Sequence, residues 1–184
     1  MNSTDLKKLI LDRRTVHNYN SKPISQEIMM EATECFLHAP NHHNTHPWKL
    51  LNTTPEQRAI FAETAIELKS KKKDLSDIEK QAVRTKYANP SHLIIVLQET
   101  CTDERQSKED YAAIACAIMN MKLYFWSKEI GTKWSSGSIT KSDQTYELLK
   151  IDKTKMEIVG FLWAGYFDRM PVAPKKEKPE DIWL

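Results

Sequence analysis

One segment, Tyr111 to Trp126, constrains the chain more than any other. It is apolar almost throughout, from Ala112-Ala113-Ile114 to Leu123-Tyr124-Phe125, and only Asn120 and Lys122 interrupt it. A helix that is apolar nearly all round must be buried on all sides. The segment is too short, and too polar at those two positions, for a membrane span, which needs about 20 apolar residues. In a chain of 184 residues, such burial is easier at an interface between two copies than inside one small core. The segment therefore predicts a dimer-interface helix, with a core helix as the alternative.

The rest of the chain supports one globular domain over residues 1–184, since 40% hydrophobic residues suffice for a sizeable core. Lys and Arg number 27 against 25 Asp and Glu. A net charge of +2 gives no field that would argue for nucleic acid. Cys35, Cys101 and Cys116 are odd in number and form no C-x-x-C pair, as expected of reduced thiols in the cytoplasm. The opening Met1-Asn2-Ser3-Thr4-Asp5 is not followed by the basic and apolar regions of a signal peptide.

Thr4 or Ser3 caps a first helix running to about Arg13, with Leu6, Leu9 and Ile10 on one face. An extended connection, Thr15 to Pro23, leads to Ser25, the cap of a second helix that stops at Pro40. Trp48-Lys49-Leu50-Leu51-Asn52 reads as a strand, and Thr54-Pro55-Glu56 as a helix start. The charge-dense stretch Lys69 to Lys86 reads as a solvated helical or mobile segment. His92 to Leu97 is a continuous apolar run, the mark of a buried strand. Gly131 to Gly137 runs from a short strand into a small-residue turn, and Ser142 or Asp143 caps a further helix. Glu157 to Tyr166 is a central strand whose glycines allow close approach. The tail from Met170 is rich in proline and lysine and ends in Ile182-Trp183-Leu184, apolar surface that predicts an arm packed on a second subunit. Helices and strands alternate, an α/β or α+β pattern, and neither a G-x-G-x-x-G nor a Walker loop follows any strand.

The stretch Ala39 to Trp48 calls for a functional account. Prolines bracket three histidines, two asparagines and a threonine, so a loop rich in hydrogen-bonding groups meets an aromatic anchor. Such a loop suits a polar, planar ligand or a metal. With His38 included, four imidazoles lie within nine residues and offer ligands for Zn or Ni. Against the metal, Pro40 blocks helical presentation, and the cluster contains neither cysteine nor carboxylate.

Three motifs together resemble the nitroreductase family of flavin mononucleotide (FMN) enzymes, in particular its short members. Arg13-Arg14-Thr15-Val16-His17 is similar to the family's Arg-Arg-Ser-x-Arg. Ala39, Pro40, Asn44, Thr45, Pro47 and Trp48 stand as in its Ala-Pro-Ser-x-x-Asn-x-Gln-Pro-Trp. Trp134-Ser135-Ser136-Gly137 and Ile158 to Gly165 are similar to its Trp-x-Ser-Gly turn and its glycine-containing strand. The resemblance covers nearly the whole chain. It implies an α+β fold of three layers, α/β/α, with a mostly antiparallel central sheet flanked by helices. It also implies a homodimer with composite flavin sites, in which the first motif and the turn come from different subunits and the arm 171–184 wraps the partner.

The residue chemistry agrees with a flavin. Arg13, Arg14 and Thr15 offer guanidinium and hydroxyl donors to a phosphate. His42 and Asn44 suit the polar ring edge, and the resemblance implies His38 as a further contact. Trp134, Ser135, Ser136 and Gly137 form the turn whose backbone meets the reactive nitrogen N5, and the resemblance, which wraps the tail around the partner, implies that Lys175 or Lys176 adds charge near the phosphate. No side chain is expected to act as a catalytic acid or base, because the flavin carries the chemistry. The implied activity is ping-pong transfer of reducing equivalents from NADH or NADPH to a nitroaromatic, quinone or similar acceptor. An FMN store or sensor without turnover, or a histidine-rich metal protein, is the alternative. The chain departs from the pattern at His17, in place of Arg, at His46, in place of Gln, and at Asn41-His42-His43, in place of small residues, which predicts an altered substrate pocket.

Overall fold

Four segments pair into one antiparallel sheet: β1 (Trp48–Asn52), β2 (His92–Glu99), β3 (Gly131–Ser135) and β4 (Met156–Gly165), in the order β1-β2-β4-β3. The structure is a computed structural model that describes residues 3–183, so Met1 and Asn2 of the opening segment and Leu184 of the arm lie outside the described residues. Both faces of the central strands are covered, which is why His92 to Leu97 reads as an unbroken apolar run. Alternate side chains go to opposite faces. Ile94, Val96, Leu162 and Ala164 pack under α2 (Gln26–Leu37) and α5 (Glu104–Ser127). Leu93, Ile95, Leu97, Phe161 and Trp163 form a second core on the other face, with residues of α3 (Pro55–Ser70), α4 (Asp77–Ala88) and α7 (Asp143–Leu149). The result is the α+β, three-layer arrangement that the motifs imply.

The helix starts are set by capping. Ser25 accepts from the Ile28 N–H, and Thr54 with Gln57 and Ser76 with Glu79 form reciprocal capping boxes. Two elements differ from the sequence expectation. The charge-dense stretch is not wholly solvated: α4 turns Val83 and Tyr87 into the core at a spacing of four, with Lys86 half-buried beside them. The long apolar helix starts at Glu104, capped by Asp103, so the apolar run forms only its C-terminal part. Ile114, Ala117, Ile118, Met121 and Phe125 are buried, whereas Tyr111, Ala112 and Cys116 are exposed in the single chain. The helix α1 (Ser3–Asp12) buries no residue, and Leu6, Ile10 and Leu11 stand exposed on it. In the arm, Ile182 and Trp183 are likewise exposed.

Glycines let two close approaches form along β3. At Gly131, a Cβ would lie 2.4 Å from Val16 Cγ2, so only glycine lets the 13–16 segment lie on this edge strand. There Thr15 bridges Thr132 in parallel and the Val16 N–H donates to Thr132 O at 3.1 Å. At Gly160, a Cβ would fall 2.3 Å from Trp134 Nε1 and 3.0 Å from Ser135 O. The pairing of β2 with β4 slips by one residue here, with Val96 opposite Gly160 but Leu97 opposite Ile158, which leaves Val159 as a bulge.

The Gly160→Ala variant must displace a packed indole or the β3 backbone. A loss of about 1–3 kcal/mol in chemical denaturation is expected, together with a changed near-UV circular dichroism from Trp134. Unaltered values for both would show that Gly160 is not what seats that ring.

Candidate functional site

Strand β3 carries positive charge on both of its faces. On the α5 side, Arg13 has two buried guanidinium nitrogens, Nε and Nη1, with no hydrogen-bond partner. Burial, and then the neighbouring charge of Arg14, hold Arg13 below its ordinary range. The Lys122 side chain is buried close by: its pKa is lowered to about 8, first by burial and then by Arg13. A buried lysine beside buried nitrogens of a half-buried arginine is costly unless an anion joins them.

The opposite face holds a second group. Lys86 Nζ lies 5.2 Å from the Trp163 ring centre, and Lys133 Nζ lies 5.7 Å from it. The pKa of Lys86 falls to about 8 through burial and the charges of Lys133 and Lys69. The imidazole of His17 is lowered by burial, then by Lys133 and Lys86. His17, Asn18 and Tyr19 border two cavities. One, of about 460 Å³, is completed by α4 residues including Lys86. The other, of about 420 Å³, is completed by Asp168 to Val172. Such a cluster suits a ligand with a phosphate and a ring that gains negative charge.

Trp134, at the end of β3, also has a buried, unpartnered Nε1, and its ring lies 6.4 Å from that of Tyr111 on α5. The Ser135 hydroxyl is engaged, accepting from Trp163 Nε1 at 2.8 Å. Ser136 and Gly137 are exposed, and a Cβ on Gly137 would meet nothing within 4 Å, so the turn leaves its backbone open to a ligand.

The histidine loop has a strained backbone. His43, Asn44 and His46 take positive φ of 57°, 50° and 48°. Asn and His tolerate this region better than most residues, but each instance costs roughly 1 kcal/mol. Asn41 offsets part of that cost: its Oδ1 accepts from the His46 N–H at 2.7 Å, its Nδ2 donates to Thr45 Oγ1 at 3.0 Å, and its carbonyl accepts from the Asn44 N–H at 3.2 Å. The rings of His42 and His43 are 3.9 Å apart, and that of His46 lies 5.9 Å from Trp48, edge-on. His42 Nε2 is 3.7 Å from Glu109. Among the described residues, no group of three or more His, Cys, Asp or Glu is placed to hold a metal ion.

Helical geometry shows which of these pieces converge. Residues advance by about 100° each around α5, so Lys122 lies within about 20° of the Tyr111 stripe and about 17 Å further along it. The Arg13 group and the Trp134 turn therefore share one side of α5. Thr45 is bound to Asp110, whose side chain points about 100° away from Tyr111. The structure thus joins the Arg13–Thr15 motif and the 134–137 turn within one chain, along β3. The Thr15–Thr132 bridge sets the first motif on the strand that leads into the turn. His42 and Asn44 are exposed on the loop. Two further candidates have other settings. The Arg14 Nη1 donates to the Leu11 and Arg13 carbonyls at 2.6 and 2.9 Å, closing the end of α1. His38 ends α2 and borders a cavity of about 520 Å³ with Leu6, Leu9, Cys35 and Tyr124.

Lys86, Lys122, Lys133 and Asp110 are missed by the motif reading. Lys122 carried a signal, as the lone cation in an apolar helix. Lys86 was legible only through Val83 and Tyr87, whose spacing marks the inner stripe of α4.

Comparison with known proteins agrees with this architecture. The sequence model of the Nitroreductase family matches residues 10–166. YfhC of Bacillus subtilis (strain 168), which bears the assignment NAD(P)H nitroreductase, is 27% identical over 179 residues, covering 96% of this chain and 91% of that protein. The crystal structure of a nitroreductase-like family protein from Bacillus cereus superposes with a TM-score of 0.87 at 21% identity, covering 100% of this chain and 97% of that one. A Desulfovibrio desulfuricans protein assigned as a nitroreductase, solved in complex with FMN, gives a TM-score of 0.78 at 16% identity, covering 100% and 97%.

The two perturbed lysines fix a pH dependence. Unfolded, each holds its proton to about pH 10.4; folded, Lys86 and Lys122 release theirs near about pH 8. The unfolded chain thus binds more protons between these values, and the stability of the ligand-free protein rises with pH across that window. Burial raises the Tyr19 and Tyr87 pKa values, so the trend reverses above about pH 10. Thermal unfolding at pH 7.5 and 9.5 checks the sign. Lys122→Met is expected to stabilise the ligand-free protein at pH 7.5 by on the order of 1–3 kcal/mol, with a smaller gain at pH 9.5.

Proposed function

The chain belongs to the nitroreductase family, and on that premise we propose that it is an NAD(P)H-dependent FMN oxidoreductase. In this reading it takes hydride from NADH or NADPH and passes reducing equivalents to a nitroaromatic, quinone or similar acceptor in alternating half-reactions. The observation that carries the reading is the pair of buried Arg13 nitrogens without acceptors, beside a buried Lys122. A phosphate dianion supplies what these groups lack. Arg13, Thr15 and Lys122 would hold that phosphate, with Lys175 or Lys176 of the arm adding charge.

His17, Lys86 and Lys133 would lie along the flavin's ring system. When bound, FMN supplies the hydride-accepting and hydride-donating chemistry. The protein orients the ring and balances its charge. Lys86, charged at neutral pH, opposes the negative charge that reduction adds. The backbone of Ser136 and Gly137 meets the changing hydrogen-bond demand at N5, with Trp134 and Ser135 holding the turn.

The protein acts in this proposal as a cytoplasmic homodimer with composite sites. The exposed apolar faces of α1 and α5 and the exposed Ile182 and Trp183 supply the contact surface. Among the described residues, no helix is long and apolar enough to cross a membrane. In this reading one chain supplies the Arg13 motif and the 134–137 turn along its β3, and the partner subunit supplies the loop. His42 and Asn44, with His38, then reach the ring across the interface.

The purified protein is expected to be yellow, or to take up FMN in fluorescence titration, and to lose its visible absorption under argon when NADH or NADPH is added. Arg13→Gln is expected to weaken FMN binding about 10- to 100-fold. Protein that takes up no flavin sinks the reading. Protein that holds flavin but resists both nicotinamides is a store or sensor instead.

A further inference from the structure

Asp110 is a buried carboxylate, 4% exposed, for which flavin chemistry has no direct use. It lies in the second turn of α5, and both of its hydrogen bonds fall on Oδ1: Thr45 Oγ1 donates at 2.6 Å and Gln106 Nε2 donates at 2.9 Å. Neither donor is charged. A buried carboxylate without a cation is an expensive way to fill space, since an apolar residue would pack there without the desolvation cost. Thr45, its longer-range partner, is otherwise exposed and is the residue between left-handed Asn44 and left-handed His46. Its hydroxyl also accepts from Asn41 Nδ2, the side chain whose Oδ1 holds the His46 N–H.

We propose that Asp110 is a positioning residue that clamps the strained loop to α5 through Thr45 and so holds Asn44 and His42 ready for the flavin. The inference rests on the flavin reading of that loop. The loop's own bonds, all from Asn41, close it on itself but attach it to nothing. Prolines 40 and 47 stiffen its ends, but both lie outside the three left-handed residues. The short Thr45–Asp110 bond ties its middle to a buried position of α5. The neighbouring His42–Glu109 contact is solvated and adds little. Without the clamp, Asn44 and His46 relax toward ordinary backbone conformations, and flavin binding must restore the loop each time.

The test uses Thr45→Val, Thr45→Ser, Asp110→Ala and the double variant that combines Thr45→Val with Asp110→Ala, all in the full-length protein. Hydrogen exchange is read at the Asn44 and His46 amides without ligand, and FMN affinity by fluorescence titration. Thr45→Val, at an exposed position, is expected to keep the wild-type melting temperature, speed exchange at both amides about tenfold and weaken FMN binding by a similar factor. Thr45→Ser should match the wild type, and the double variant should bind FMN no worse than Asp110→Ala. If Asp110→Ala does not fold, the two Thr45 variants alone decide. Unchanged exchange in Thr45→Val, FMN affinity that stays at the wild-type value while exchange speeds up, or additive losses in the double variant would each overturn the proposal. Wild-type protein that takes up no FMN fails the functional reading as well, whereas wild-type binding matched by Thr45→Val fails only this inference.

Discussion

The uncompensated positive charge buried beside β3 is the constraint on which the rest of the site depends. Arg13 nitrogens without acceptors next to a buried lysine cannot be explained as packing, because apolar side chains of similar size would fill that space at lower cost. The geometry that keeps them there is specific. Gly131 lets Val16 approach the edge of β3, Thr15 bridges Thr132, and Arg14 closes the end of α1 so that its neighbour faces inward. On the other face of the same strand, Lys133 meets Lys86 and His17. A single edge strand thus gathers five cationic or titratable groups from four parts of the chain, at a net molecular charge of only +2. Composition could not reveal this concentration, since the balancing acids lie elsewhere.

Helix α5 is the axis on which these parts are separated. Its Tyr111–Lys122 stripe looks toward β3, Asp110 looks toward the histidine loop, and Tyr111, Ala112 and Cys116 remain exposed. The expectation that this helix is buried all round was therefore met on only part of its surface within one chain. The physical premise still holds, because the exposed remainder is apolar and demands a covering. In the proposed dimer, the same helix both joins the subunits and sets the spacing between one chain's cations and its partner's loop.

Much of this fold was legible in the sequence. The buried run His92 to Leu97, the glycine-containing strand to Gly165, and the caps Ser25 and Thr54 are all local signals, and each appears where residue chemistry puts it. What was illegible is tertiary. Lys86 sits in a stretch whose composition says solvent, and only the inward Val83 and Tyr87 reveal that it lies over Trp163. The bulge at Val159 lies beside the meeting of Trp134 with Gly160, residues on different strands that no local pattern connects. The pairing of Asp110 with Thr45 spans 65 positions. Motif order located Arg13 and the 134–137 turn, but which of them share a chain's surface follows only from the Thr15–Thr132 bridge.

The histidines show how a departure from a pattern can be absorbed. Bulk at His42, His43 and His46 would crowd a ligand if all three rings entered the pocket. Instead, the positive φ at His43 and His46 turns the backbone so that His43 packs on His42 and His46 on Trp48. The loop accommodates large side chains by accepting backbone strain, and strain of this kind persists only where surrounding contacts over-determine it. Here those contacts are the Asn41 side chain within the loop and the Asp110 carboxylate beneath it. The His42 and His43 rings, 3.9 Å apart and tilted by 60°, then leave His42 Nε2 facing Glu109 at 3.7 Å.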